Sequence, residues 1–277
     1  MFARKKKQWL VIFPLLLFGF ITTAQVYQFP YAGKLIIIGG GETPDSVYDF
    51  FAKEIGGKDQ PFVYIPTASR DEAWIQAGKH LEKFTSRGFT AIYTLHARDQ
   101  GYANSSLAIG LIKKAKGIFI GGGDQLLLAK AYNNTKVLEE MFALLIRGGV
   151  VMGTSAGASI MGSLLIGGDH RKSPHLATDF PAGFSFLPNT AIDQHVLVRN
   201  RQFDLLPILE KRPNLLGMAV DEATAAIVTR DSIRVMGNSY VLLYDQQDWQ
   251  RQQKEWGRVY RPFKMYRSGE IIKSMNQ

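Results

Sequence analysis

The stretch VVMGTSAGAS, which begins at Val150, places a serine between two glycines where an apolar strand runs into a helix-forming segment. Gly153, Ser155 and Gly157 fit the pattern G-x-S-x-G, in which a sharp strand-to-helix turn exposes a serine hydroxyl as a nucleophile. Only small neighbours fit such a turn because the backbone is crowded there. A Gly/Ser turn also occurs in α/β proteins without catalysis, so the pattern needs partners elsewhere in the chain.

A serine nucleophile needs a base, and the chain has five histidines. His195 ends an apolar, strand-like run in TAIDQHV, which is the position that a general base would occupy. The others are expected on a helix surface or in polar loops: His80 on an amphipathic helix facing solvent, and His96, His170 and His175 in loops. Their positions therefore favour His195 as the partner of Ser155.

The imidazole of a Ser–His pair is oriented by a carboxylate, which fixes its tautomer. Glu222 follows another apolar run in GMAVDEATA, and Asp221 beside it is an alternative. Because ligands of open α/β sheets bind beyond the carboxyl ends of the strands, residues that follow apolar runs are the candidates. We therefore expect Ser155, His195 and Glu222 at one edge of a single sheet.

Two glycine-rich stretches also end predicted strands. In FIGGGDQ, the backbone N–H of Gly123 is a candidate to form an oxyanion hole with the N–H of Ala156. A phosphate-binding loop is the alternative, but the stretch lacks G-x-G-x-x-G and no Lys-Ser/Thr follows it. The second stretch, IIIGGGE with glycines at 39–41, is expected to be a structural turn beside the site.

Positive charge offers two further interpretations. Arg199 and Arg201 follow the candidate base, where guanidinium groups would bind substrate carboxylates in a bidentate fashion. The alternative is a pair of solvated surface charges. The net charge of +9 includes four basic residues at positions 4–7, and the other charges are scattered along the chain. We therefore expect no nucleic-acid partner.

The N-terminal residues have the organisation of a secretory signal peptide. Basic residues 4–7 precede the apolar run at 10–21, and the small residues of TTAQ follow. A membrane span needs about 20 apolar residues, so this run is short for one. We expect residues 1–24 to be a leader cleaved after Ala24 and the mature domain to be exported, periplasmic or secreted, without stable membrane insertion. An uncleaved N-terminal membrane anchor is the alternative.

Composition and periodicity indicate the fold class. The chain has 277 residues, of which 46% are hydrophobic, and it has no cysteine, so thiolate nucleophiles, thiolate metal sites and disulfides are excluded. Strand-like runs alternate with helical segments, which predicts βαβ units and a parallel sheet covered on both faces. The pattern predicts one helix over residues 71–88 and one long helix that ends near residue 147. The last three strand candidates, AAIVT, IRVMG and YVLLYD, are expected to form antiparallel hairpins in a single domain over residues 25–277.

Six stretches taken in order resemble the cyanophycinase family of serine peptidases, relatives of aspartyl dipeptidase. They are IIGGGE, YIPTAS, IGGGDQ, GTSAGAS, DQHVLVRNR and VDEATA, and the resemblance covers the chain from Gly33 to about Asp245. The resemblance implies a flavodoxin-like, three-layer α/β/α fold related to class I glutamine amidotransferases. It also implies a triad of Ser155 as nucleophile, His195 as base and Glu222 as the orienting acid.

The resemblance further implies a substrate pocket and a reaction. The matching positions are Gln125, Asp193, Gln194, Arg199 and Arg201. Family members release β-Asp-Arg dipeptides from the polymer cyanophycin, without a metal or cofactor, and a homodimer stays an open alternative. Asp204 stands where the family usually has a third arginine, and this charge reversal would change which substrate charges the pocket tolerates. The alternatives are an aspartyl or isoaspartyl dipeptidase and an inactive exported binding protein.

Overall fold

Five apolar runs between residues 34 and 154 pair side by side as parallel strands. The computed structural model describes Tyr27 and residues 29–166 and 182–273, so the predicted leader at 1–24 lies outside the described residues. The strands stand in the order β3-β2-β4-β5-β1. Their bounds are β1 Lys34–Ile38, β2 Phe62–Ile65, β3 Ile92–Thr94, β4 Gly117–Ile120 and β5 Val150–Thr154.

Three later strands extend this sheet beyond β1. Strand β9 (Thr224–Val228) pairs antiparallel with β1, followed by β10 (Ser232–Gly237) and β13 (Ile271–Lys273), both also antiparallel. The predicted mostly parallel α/β sheet with a C-terminal antiparallel extension is therefore confirmed. One of the expected hairpins, AAIVT with IRVMG, is the β9–β10 pair.

A second sheet of five strands was not predicted. Strands β6 (Gly162–Leu164), β7 (Leu187–Gln194) and β8 (Leu216–Val220) run parallel, and β11 (Tyr240–Tyr244) and β12 (Lys264–Arg267) continue antiparallel in the order β12-β11-β8-β7-β6. Strand β11 thus turns away from β10 to pair with β8. The apolar pattern of a buried strand does not say which sheet it joins: β8 of the second sheet is as fully buried as β9 of the first.

The helices are shorter than their sequence patterns indicated. Gly78 has φ +70° and breaks the segment predicted as one helix over 71–88, leaving a 3₁₀ turn at Lys79–Leu81 in the middle. The segment before residue 147 is broken at Asn134, which has φ 60°. Asparagine and glycine tolerate this conformation and therefore end helices. The helices are α1 Asp45–Ile55, α2 Glu72–Gln76, α3 Glu82–Thr85, α4 Gln100–Ala103, α5 Ser106–Lys114, α6 Gln125–Tyr132, α7 Lys136–Ile146, α8 Ala156–Ser159, α9 Leu206–Glu210 and α10 Gln246–Trp256.

Helices cover both faces of the large sheet, as the three-layer prediction requires. Alternate residues of β1 point to opposite sides: Ile36 and Ile38 join the buried cluster that contains α1, whereas Leu35 and Ile37 join the cluster that contains α5, α6 and α7. This period of two is the expected geometry of a strand. No helix within the described ranges is long and apolar enough to span a membrane.

Removal of the Phe84 ring is expected to destabilise the face that α1 covers. Phe84 is fully buried, and its ring lies within 6.4 Å, between centroids, of six other aromatic rings, among them Phe62 and Phe119 at 4.9 Å each. We predict that Phe84→Ala lowers the free energy of unfolding by about 3–5 kcal/mol. Leu107→Ala, at a side chain that is 63% exposed, should change it by no more than about 0.5 kcal/mol. Denaturant unfolding of both variants measures this; equal losses would contradict the packing described.

Candidate active site

Ser155 occupies a strained turn between β5 and α8. Its backbone has φ 53° and ψ −115°, a conformation that non-glycine residues rarely adopt. A β carbon at position 153 would lie 2.2 Å from the Gly157 carbonyl oxygen, and one at 157 would lie 2.1 Å from the Ile120 carbonyl oxygen. Both glycines of G-x-S-x-G are therefore required by close backbone approach, and the strand–turn–helix setting of a nucleophile elbow is present.

The hydroxyl, imidazole and carboxylate singled out in the sequence form one chain of hydrogen bonds. The Oγ atom of Ser155 lies 2.9 Å from Nε2 of His195, and Nδ1 of His195 lies 2.5 Å from Oε1 of Glu222. The expectation that all three lie at one edge of a single sheet is wrong. Ser155 follows β5 in the large sheet, His195 follows β7 in the second sheet, and Glu222 lies in the crossover between the two sheets.

A turn of three glycines at 39–41, here called the triglycine turn, connects these segments. The carbonyl groups of residues 38–40 accept hydrogen bonds, in order, from the backbone amides of Ser155, His195 and Ala223 at 3.0, 2.9 and 2.9 Å. The end of β1 therefore holds the backbones of all three segments next to one another.

Side chains would not fit on this turn. A β carbon on Gly40 would lie 2.1 Å from Cε1 of His195, and one on Gly41 would lie 2.6 Å from Oε2 of Glu222. The two glycines also have φ +113° and +65°, which glycine adopts readily. The imidazole and the carboxylate thus pack directly on the backbone of the triglycine turn.

Asp221, the alternative orienting acid, faces away from the imidazole. Its Oδ1 atom accepts the amides of Leu197 and Val198 at 2.9 and 3.1 Å, and its Oδ2 atom accepts the Ser239 hydroxyl at 2.6 Å. Asp221 therefore fixes the chain that follows His195. Sequence position alone did not separate the two acids because they are neighbours, and only the backbone direction decides which one reaches the ring.

Burial sets the protonation of the candidate base. Burial lowers the pKa of His195 below its ordinary value of 6.5, the hydrogen bond that Glu222 accepts opposes this shift, and Arg199 and Arg201 lower the pKa further. The imidazole is therefore neutral at pH 7 and able to accept a proton from the serine hydroxyl.

The loop after β4 that contains glycines 121–123, here called the glycine loop, adjoins Ser155. A β carbon on Gly122 would lie 3.2 Å from Cβ and 3.7 Å from Oγ of Ser155. The amide of Gly123 belongs to the next peptide unit, and the amide of Ala156 begins α8, where helical amides lack an intrahelical acceptor. Gly122 was not singled out in the sequence, although it stands in the same run of glycines.

The candidate pocket residues near His195 are mostly buried. Arg201 is held between two acids, with Nη2 at 2.8 Å from Asp193 and Nε at 3.4 Å from Asp204. Gln125 is buried and donates its amide to the carbonyl of Ile166 at 2.7 Å. The guanidinium of Arg201 is therefore paired within the protein, and Asp204 supplies one of its two carboxylate partners.

Several buried polar atoms of residues 193–202, the segment that contains His195, have unmet hydrogen-bonding capacity. Within the described residues, no partner is present for Oδ2 of Asp193, Oε1 of Gln194, Nη1 of Arg201 or Oε1 of Gln202. Burial raises the pKa of Asp193 to about 6, against the lowering effect of Arg201. Arg199, the remaining candidate, is exposed. The cluster therefore presents three free acceptors and one free donor.

The other histidines do not contact Ser155 in the described residues. His80 is buried, not solvent-facing as expected, and its Nε2 lies 2.8 Å from the hydroxyl of Thr94. His96 contacts Glu72 at 3.1 Å on a different loop. His170 and His175 lie outside the described residues.

Comparison with solved structures supports the fold. A crystal structure of a peptidase from an acI-B1 actinobacterium superposes with a TM-score of 0.68 at 24% identity, covering 89% of this chain and 98% of that one. A putative peptidase E protein from Listeria monocytogenes EGD-e gives a TM-score of 0.53 at 18% identity, covering 75% of this chain and 99% of the other.

Sequence comparison identifies the family. The chain is 33% identical over 229 residues to the cyanophycinase of Trichormus variabilis, covering 78% of this chain and 75% of that protein. It is 34% identical over 226 residues to the cyanophycinase of Geminocystis herdmanii, covering 77% and 81%. Residues 35–236 match the profile of peptidase family S51. The chain therefore belongs to peptidase family S51 and is a serine-type peptidase.

Proposed function

We propose that the chain is an exported serine exopeptidase of cyanophycinase type, with Ser155, His195 and Glu222 as its catalytic triad. The observation that carries this proposal is the unbroken path from the serine hydroxyl through the imidazole to the carboxylate, at 2.9 and 2.5 Å. A nucleophile, a base and an orienting acid in hydrogen-bond contact define this type of catalyst, whatever their order in the chain.

Acylation begins when Nε2 of His195 takes the hydroxyl proton of Ser155 as Oγ attacks the substrate carbonyl. The Nδ1–H group donates to Glu222, which holds the imidazole in the tautomer that leaves Nε2 free to accept. The N–H groups of Gly123 and Ala156 stabilise the oxyanion, each by about 3–4 kcal/mol in comparable enzymes.

The same groups complete the turnover. His195, now protonated, gives its proton to the leaving amine, and the peptide bond breaks to leave an acyl-enzyme on Ser155. A water molecule then loses a proton to His195 and attacks the ester, which releases the acid product and restores the serine. Every proton in this cycle moves through one imidazole, so no further acid or base is required.

The proposed substrate is the β-aspartyl-arginine polymer cyanophycin or a related peptide, bound by Gln125, Asp193, Gln194, Arg199 and Arg201. The cyanophycinase relatives and the buried polar cluster beside His195 support this class of substrate. The free acceptors of the cluster suit a substrate rich in N–H groups, such as a guanidinium or an amide.

A second candidate, hydrolysis of aspartyl or isoaspartyl dipeptides, is favoured by the pairing of Arg201. Two carboxylates, Asp193 and Asp204, flank this guanidinium and occupy the charge that would otherwise bind a substrate carboxylate. Asp204 is about half exposed, and its carboxylate would attract the ammonium group that a dipeptide carries close to its scissile bond.

Export is part of the proposal because it decides where substrate is met. The basic residues 4–7 and the apolar run at 10–21 support a cleaved leader over residues 1–24. An exported enzyme would act on polymer or peptides outside the cytoplasm rather than on an internal store.

A substrate panel with matched serine variants tests the proposed function. We expect release of β-Asp-Arg from cyanophycin, and a loss of roughly 10⁴-fold or more in Ser155→Ala. Ser159→Ala is the control because this buried hydroxyl, four residues further along, has no hydrogen-bond partner; it should retain turnover. Preferred cleavage of Asp-Xaa or β-Asp-Xaa dipeptides would favour the second candidate. Failure of a fluorophosphonate to label the wild type would favour a binding protein instead.

The acid limb of the pH profile should report the His195 imidazole. Because the base acts in its neutral form and burial lowers its pKa, kcat/KM should rise with pH and reach half its plateau below pH 6.5. Glu222→Gln removes a group that raises this pKa, so the limb should move to still lower pH while kcat falls. Asp193 titrates near pH 6, so the limb should also be measured in Asp193→Asn. A midpoint above 6.5 in both proteins would contradict the assignment.

A further inference from the structure

The loop between β2 and α2, residues 66–71, supports the glycine loop that adjoins the serine. A β carbon on Gly123 would lie only 2.2 Å from the carbonyl oxygen of Ala68, so the two backbones are in direct contact. The same oxygen accepts the amide of Asp124 at 2.8 Å, and Arg70 pairs with the Asp124 carboxylate at 2.5 Å. Any shift of the Ala68 peptide is therefore transmitted to the Gly123 peptide.

One guanidinium group holds this loop in place. Arg98 donates from Nη1 to the carbonyl oxygen of Thr67 at 2.9 Å and from Nη2 to that of Ser69 at 2.6 Å. These carbonyl groups stand immediately before and after Ala68. A third bond runs from Nε to Oε1 of Glu72 at 2.6 Å, at the start of α2. The planar fork of arginine can serve three acceptors at once, which a lysine ammonium on its flexible stem does not reproduce.

The clamp is itself anchored to the core. The imidazole of His96 lies 3.1 Å from Glu72 through Nε2 and 3.2 Å from the Thr67 hydroxyl through Nδ1. That hydroxyl contacts the Tyr132 hydroxyl at 2.9 Å, and Tyr132 is fully buried. Arg98 therefore couples a rigid part of the core to the backbone that supports Gly123.

We propose that Arg98 is a positioning residue for the oxyanion donor at Gly123, an inference that rests on the proposed function. Arg98 contacts no reacting atom. It fixes the Ala68 peptide, the Ala68 peptide fixes Gly123, and Gly123 carries the N–H that meets the developing charge on the substrate oxygen. A small displacement of such a donor lowers the rate of the chemical step more than the affinity for substrate. The reason is that its hydrogen bond to the substrate oxygen forms fully only in the transition state.

Kinetics of arginine variants test this inference, with Arg147→Ala as the matched control. Arg147 also donates to several backbone carbonyl groups, including that of Ile112 at 2.8 Å, but at the far end of β4 from the glycine loop. We expect Arg98→Ala to lower kcat on cyanophycin by about 10- to 100-fold with KM changed less than about threefold. Arg98→Lys should be impaired similarly, and millimolar guanidinium should partly restore kcat in Arg98→Ala alone. Arg147→Ala should lose thermal stability but keep kcat.

Hydrogen exchange of the peptide that covers residues 119–124 provides a second measurement that does not depend on turnover. It should exchange faster in Arg98→Ala than in the wild type and in Arg147→Ala. Wild-type kcat in Arg98→Ala, or equal exchange in the three proteins, would overturn the inference. If the wild type hydrolyses none of the peptides, the proposed function fails, and the exchange measurement alone decides whether Arg98 holds the glycine loop.

Discussion

The geometry of the candidate site depends on three successive carbonyl groups at the end of β1. They bind the amides of Ser155, His195 and Ala223, which come from two different sheets and from the crossover between them. These three residues share a further property: each is a non-glycine residue with positive φ, at 53°, 54° and 52°. Such conformations persist only where the surroundings enforce them, and here each amide is bound to a carbonyl group of residues 38–40.

The absence of side chains at residues 39–41 is as important as their hydrogen bonds. Gly40 packs against the imidazole of His195, and Gly41 packs against the carboxylate of Glu222. Backbone atoms of the triglycine turn therefore contact both side chains. The segment that follows His195 is restrained by a side chain: the Asp221 carboxylate accepts the amide of Leu197, and the Ser239 hydroxyl donates to the same carboxylate. On the opposite side, the glycine loop after β4 is held by the loop that Arg98 clamps. The candidate triad thus contacts two backbone supports, the triglycine turn and the glycine loop.

Local rules in the sequence predicted more of the site than of its framework. The setting of Ser155 was predictable because G-x-S-x-G constrains its own backbone, and His195 followed from its place after an apolar run. The place of the acid was predictable in the same way, but the choice of Glu222 over Asp221 came from the family resemblance. The second sheet was not predictable, because the pattern of a buried strand such as β8 does not specify the sheet that it joins. Arg201 was expected to bind a substrate carboxylate from its residue type alone. Its pairing with Asp204, three residues later, was a visible signal, whereas its contact with Asp193 depends on the fold.

The most direct test of this account is a comparison of Gly40→Ala with Gly148→Ala. Both positions have positive φ, +113° and +92°, so both variants carry similar backbone strain, but a β carbon on Gly148 meets no atom within 4 Å. If the triglycine turn aligns the imidazole, Gly40→Ala lowers kcat/KM on cyanophycin by about 100-fold or more, while Gly148→Ala stays within a few-fold of the wild type. Equal activity of the two variants, with equal thermal unfolding midpoints, would contradict the central role of the turn.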